Sequence, residues 1–361
     1  MTDMADEGRG SADDTSATDS ASGDATHKGT SGDDVTPADT TSDDAASDET
    51  GGDTTTDAVT PDIDRVVVLN PISGDSGHRT QVRELADRHG FTVLETQDGG
   101  EAVRFARLAA EAGANLVAAA GGDGTLNEVA RGLDAADALD EVTFGVVPCG
   151  TGNNFAGNIG VESIEHAFEV MARGERRRID VGVADGRLFL NSAIAGLTAD
   201  ASASTTPGLK NRLGVLAYVV TALRTAADFE ALPLAIEATG PESEETWSGE
   251  ALMTLVGNAR RFPDEGRTQA NCEDGLLEAT VIEQMPTTDL LEEAAVHRLF
   301  GDDTDHVTRL RASELRVEVL ADEPTAFSFD GEMGSYESLT MRTRERTLEL
   351  CVGESYEPNP D

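Results

Sequence analysis

Apolar and polar positions follow two regimes along this chain. Between residues 65 and 147 the apolar runs Arg65–Leu69, Phe91–Glu95, Asn115–Ala120 and Val142–Val147 alternate with stretches of helical spacing, Gln81–His89, Gly100–Glu111 and Leu126–Leu133. Buried strands alternating with amphipathic helices predict a parallel, three-layer α/β domain. Ligands in such sheets bind beyond the carboxyl ends of the strands. There the chain places its turn motifs: Asn70–Gly77, the glycine-rich GGDGT of Gly121–Thr125, and PCGTGNN at residues 148–154.

After Ile164–Arg173, read as a linking helix, strand-like runs dominate: Arg178–Val183, Arg187–Ala193, Ala231–Ala238, Glu250–Gly257, Leu276–Ile282, Glu314–Leu320, Thr325–Phe329 and Leu339–Val352. Gly, Asp and Pro separate them, which predicts an antiparallel β-sandwich. Gly208–Ala227 and Thr288–Phe300 are the clearest helices of this half. The predicted organisation is therefore a tail (1–62), an α/β domain (63–162), a β-rich sandwich (163–353) and a short C-terminal end (354–361).

Residues 1–62 contain no Leu, Ile, Phe, Tyr or Trp. Such a segment has too little apolar surface to offset its ordering entropy, so it is expected to be disordered, as is 354–361. It also lacks the apolar core of a secretory signal and the Arg-rich character of a transit peptide.

The net charge is −42, and the tail accounts for only part of it, with 17 acidic and 2 basic side chains. Only Lys28 and Lys210 are lysines. An acidic surface with so little lysine predicts adaptation to high salt, where the Debye length falls to about 3 Å and self-repulsion is screened. The same field argues against nucleic acid as a partner.

Cys149, Cys272 and Cys351 show no CxxC or Cys/His spacing, so neither a zinc site nor a disulfide framework is expected. The longest apolar helical run, Leu213–Leu223, falls short of the roughly 20 residues that span a bilayer. A cytoplasmic protein, peripheral at the membrane at most, is the expectation.

The motifs suit phosphoryl transfer, which needs phosphate positioning, charge neutralisation and a proton acceptor. Glycines at the turns allow close backbone approach, and helix N–H groups attract phosphate. No GxxxxGK[ST] occurs, so a nucleotide site must rely on backbone N–H groups, arginine and Mg²⁺. Asp123, Asp330 and Glu332 are the candidate acids, since one carboxylate can organise Mg²⁺ through water while another accepts a proton. The segment Gly74–Gly77 looks like a protease nucleophile motif, but it sits in a βαβ unit. Asp302, Asp303, Asp305 and His306 read as a solvated loop before they read as a metal cluster.

In order, LNPISG (Leu69–Gly74), GGDGTLNEV, PCGTGNNF and FDGEMG (Phe329–Gly334) resemble the soluble diacylglycerol kinase family, which extends to sphingosine and ceramide kinases and, more distantly, to NAD kinases and phosphofructokinases. The resemblance covers about residues 64–353. It implies ATP and Mg²⁺ as cofactors, a lipid alcohol such as diacylglycerol as substrate, and transient contact with a membrane. A homodimer is compatible with it. An ATP site would be lined by Asn70, Ser73, Thr96, Gly121, Gly122, Gly124, Thr125, Asn127, Glu128, Gly150, Thr151, Gly152 and Asn153. Glu332 would be the base, with Asp123 as the competing assignment, and Asp274 matches a turn that holds a structural magnesium in some members. Asn154 departs from the family's usual Asp. An NAD kinase-like or other small-alcohol kinase, and a catalytically silent nucleotide-binding regulatory protein, are the rival readings.

Overall fold

The computed structural model describes residues 64–74, 77–196, 231–261, 269–284 and 306–360. The tail 1–62, the runs Gly208–Ala227 and Thr288–Phe300, and Asp302, Asp303 and Asp305 lie outside the described residues.

The α/β half begins β1 (Arg65–Leu69), α1 (His78–Arg88), β2 (Thr92–Glu95), α2 (Glu101–Glu111), β3 (Leu116–Gly121), α3 (Asp123–Ala135) and β4 (Thr143–Pro148). These strands pair in parallel in the order β2-β1-β3-β4. The chain steps outward from β1 to β2 and back across β1 to β3, so right-handed crossovers put α1 and α2 on opposite faces. All six residues of β3 are buried, as a strand covered by helices on both faces requires. After the short helix α4 (Asn154–Asn158) comes α5 (Ile164–Arg173), capped by Ser163, whose Oγ accepts the His166 N–H at 3.1 Å. The expected linker helix α5 is part of the first core, with Ala167, Phe168, Val170 and Met171 buried.

The second half comprises β5 (Glu175–Ala184), β6 (Arg187–Phe189), β7 (Ser192–Gly196), β8 (Leu232–Thr239), β9 (Glu244–Gly257), β10 (Leu277–Glu283), β11 (Val307–Ala312), β12 (Glu314–Val319), β13 (Thr325–Phe329), β14 (Glu332–Tyr336) and β15 (Ser338–Val352). Its strand pairs are antiparallel, as expected, and enclose a core of their own around Phe327, Phe329, Leu234, Ile236, Leu315 and Met341.

The two halves are continuous through β15. Its start pairs with β12, its length with β5, and Leu350 pairs in parallel with Phe144 of β4, so the described strands form one mixed sheet. Leu348, Leu350, Cys351 and Val352 accordingly lie in the first core while Leu339 and Met341 lie in the second. The C-terminal end also differs from expectation as far as Pro360. Tyr356 is buried, its hydroxyl donates to Glu273 at 2.9 Å, and the Asn271 amide donates to Asn359 at 2.9 Å. Among the described residues no helix is long and apolar enough to cross a membrane.

Candidate active site

Three turns leave the carboxyl ends of β1, β3 and β4 and pack on one another. A Cβ on Gly150 would sit 2.4 Å from the Gly122 Cα, so the glycines of the second and third turns meet backbone to backbone. Gly74, at φ +56, has room for no Cβ because the Cys149 carbonyl would lie 2.6 Å away. The Asn70 amide donates to Thr125 Oγ1 at 3.1 Å, joining the first turn to the second. Asn153 takes a left-handed conformation at φ 46, and its side chain brackets Gly150, accepting the N–H at 2.8 Å and donating to the carbonyl at 2.9 Å. Thr96 closes the end of β2, with its N–H donating to the Leu69 carbonyl at 2.9 Å. Gly124, Thr151 and Gly152 remain exposed on these turns, and Ser73 is half-buried.

The acidic candidates have distinct surroundings. The Asp123 carboxylate accepts N–H groups from Asn154 at 3.2 Å and Phe155 at 3.0 Å, and so caps α4 from the first turn of α3. The Asn154 amide adds a donor at 3.4 Å to the same carboxylate, a bond that an aspartate there could not give. Asp330, at φ 48 in the turn between β13 and β14, accepts from the backbone of Leu190 at 2.6 Å, Asn191 at 3.0 Å and Ser192 at 2.9 Å, and from the Asn127 amide at 2.9 Å. Loss of water dominates over these bonds and pushes the Asp330 carboxyl up to about 6. The Glu332 carboxylate accepts from Arg131 Nη1 at 2.9 and 3.2 Å and from Arg187 Nη2 at 2.5 Å.

Asn127 and Glu128 are used between elements. Asn127 is buried and donates to the Leu188 carbonyl at 3.1 Å as well as to Asp330, and Glu128 accepts the Gly100 N–H at the start of α2. Burial raises the Glu128 carboxyl above the ordinary range, with the neighbouring Glu332 charge adding to the shift. Asp274 lies apart from the turns. It accepts the Leu276 N–H at 3.0 Å and pairs with Arg311 at 2.6 Å, and burial raises its carboxyl. Among the described residues no group of three or more His, Cys, Asp or Glu side chains is gathered as a metal site.

Three arginines that sequence reasoning did not single out belong to the cleft. Arg131 stands one turn beyond Asn127 on α3, and Arg187 packs its guanidinium over the Phe329 ring at 5.2 Å. Arg260 lies in the field of Asp123 and Asp330, while burial lowers its ordinarily high value. The near absence of lysine was the available signal, since it left arginine as the cation for any phosphate.

Three packed glycine-rich turns at the carboxyl edge of a parallel sheet, met through Asn127 by an acidic turn of the β-rich half, define the class as an α/β half joined to an antiparallel β half. Residues 64–184 match the diacylglycerol kinase catalytic domain, and residues 191–352 match the YegS C-terminal NAD kinase beta sandwich-like domain. A diacylglycerol kinase of Bacillus subtilis is 29% identical over 284 residues, 74% of this chain and 89% of the relative. A probable lipid kinase YegS-like protein of Enterobacter is 30% identical over 290 residues, 79% of this chain and 94% of the relative. The crystal structure of a putative diacylglycerol kinase from Bacillus anthracis superposes with a TM-score of 0.67 at 22% identity, covering 84% of this chain and 99% of that one. The chain belongs to the lipid kinase family of diacylglycerol kinases and YegS-like proteins.

Proposed function

We propose that the protein transfers the γ-phosphoryl group of ATP to a hydroxyl of diacylglycerol or a related lipid alcohol. The observation that carries this reading is the mutual packing of the three turns, held at Gly122–Gly150, Asn70–Thr125 and Asp123–Phe155, with Glu332 across the cleft on β14. Exposed backbone at Gly124, Thr151 and Gly152 beside the α3 N-terminus suits phosphate oxygens. Asn70, Ser73 and Thr96 border the same edge and suit the rest of the nucleotide. Asn127 and Glu128 act in this reading by fixing α3 against Leu188, Asp330 and α2.

Mg²⁺ would arrive on the nucleotide phosphates, with Asp123 within reach through water, and would neutralise charge there. Glu332, held between two guanidiniums, suits the base better than Asp330, whose oxygens are engaged by four N–H donors. As the acceptor oxygen bonds to phosphorus and the bond from phosphorus to the β-phosphate oxygen breaks, Glu332 takes the hydroxyl proton and ADP leaves. An acidic, lysine-poor surface supports work at high salt.

An acceptor screen with labelled ATP in molar KCl tests the reading. Phosphorylation of dioctanoylglycerol or a related lipid alcohol is the expected result. Labelling of NAD alone, or of no acceptor while ATP still binds, would replace it with one of the rival readings.

A further inference from the structure

Glu332 has a task that its surroundings oppose. Two guanidiniums from separate elements, Arg131 of α3 and Arg187 of β6, converge on its carboxylate at 2.9 and 2.5 Å. Protonation of a base gripped in this way loosens both arginines, because charge-assisted pairs become at most hydrogen bonds to a neutral acid. Across the same step the acceptor oxygen beside it becomes a phosphomonoester. A guanidinium fork fits phosphate oxygens as it fits carboxylate oxygens.

We propose that Arg131 and Arg187 form the seat for the phosphate of the phosphorylated acceptor, and that Glu332 holds this seat until that phosphate displaces it. The inference rests on the kinase reading above and extends it to the product. Arg131 is eight residues beyond Asp123 on α3, roughly 12 Å along the helix axis. Arg131 thus starts about two turns further along α3 than the glycine-rich turn. With side-chain exposures of 36%, 22% and 33%, Arg131, Arg187 and Glu332 are open enough for a ligand to reach and ordered enough to select one. Glu128 opposes Glu332 with like charge and favours its departure. When the protonated Glu332 later ionises, it competes for the arginines and ejects the product.

Calorimetric titration of dioctanoyl phosphatidate and, separately, ADP into the full chain in molar KCl tests the proposal. Glu332→Gln removes the internal anion, so phosphatidate should bind about tenfold more tightly than to the wild type, while Arg131→Gln and Arg187→Gln should each weaken it about tenfold. ADP affinity should stay within about twofold in all of them, since ADP lacks the group the seat takes. Unchanged or weaker phosphatidate binding by Glu332→Gln, with ADP binding intact, would overturn the seat and leave the kinase reading standing. Equal losses for ADP and phosphatidate in the arginine variants would reduce the pair to a structural brace and also overturn it. Failure of ADP to bind the wild type would bring down both readings.

Discussion

The Asp123 carboxylate accepts the Phe155 N–H at 3.0 Å, so the first residue of α3 caps α4, which begins 31 positions later. One aspartate thereby couples the second glycine-rich turn to the third. Asp123→Asn keeps one oxygen acceptor but removes the charge that favours a helix N-terminus, and should cost about 1 kcal/mol of stability. Thermal melting should register that loss together with a higher Mg²⁺ requirement for turnover. A variant that melts like the wild type would show that the cap contributes nothing.

The contact between Gly122 and Gly150 predicts a graded glycine series. Gly150→Ala would place a Cβ 2.4 Å from the Gly122 Cα, whereas Gly124 has nothing within 4 Å of its Cβ position. ATP affinity measured by calorimetry should therefore collapse in Gly150→Ala and in the bulkier Gly122→Val, and survive in Gly124→Ala. Equal affinities across the series would remove these turns from the site.

Glu332→Gln preserves shape and hydrogen-bonding capacity but cannot accept a proton, so kcat should fall by about 10² to 10⁴. Nucleotide affinity should persist. If instead Glu332→Gln retains turnover within a few-fold while Asp123→Asn is inactive with normal nucleotide affinity, then Asp123 is the base.

Burial raises the Asp330 carboxyl from 3.8 to about 6, so folding favours its neutral form. The stabilising contribution is then complete below about pH 3.8 and is lost as pH rises through about 6. The Tm difference between wild type and Asp330→Asn, which does not titrate, should accordingly fall across this window and level off above it. A difference that grows with pH would mean that the four N–H donors outweigh the lost hydration.

With a formal net charge of −42, self-repulsion opposes the compact state at low ionic strength. Melting temperature and activity should both rise from dilute buffer toward molar KCl. A flat or falling trend would reject adaptation to salt.

The parts of this molecule written locally were readable from its sequence. Each glycine turn follows a buried strand and opens a helix within a few residues, so the α/β order and the meeting of these turns at one sheet edge could be placed from spacing alone. The relationships that complete the site join distant residues. Arg187–Ala193 read as one strand, but Asp330 captures the N–H groups of Leu190, Asn191 and Ser192 and divides it into β6 and β7 across 138 or more positions. Strands β11 and β14 escaped notice because their short, charged or glycine-containing segments are defined by their partners, Val307–Ala312 by β10 and Glu332–Tyr336 by β13. Arg131 carries no signal within its own helix, because its partner Glu332 lies 201 positions away.

The pairing of Phe144 with Leu350 sets an order of assembly. A ribosome delivers β1 through β4 long before it delivers the strand that covers the free side of β4, and more than 200 residues must be closed into a loop before that edge is sealed. The nascent α/β half therefore waits with an open sheet edge through most of synthesis. Chains that terminate early, even by the length of β15, should leave both cores incomplete and fall to proteolysis or aggregation, so that only full-length translation yields a protein able to persist.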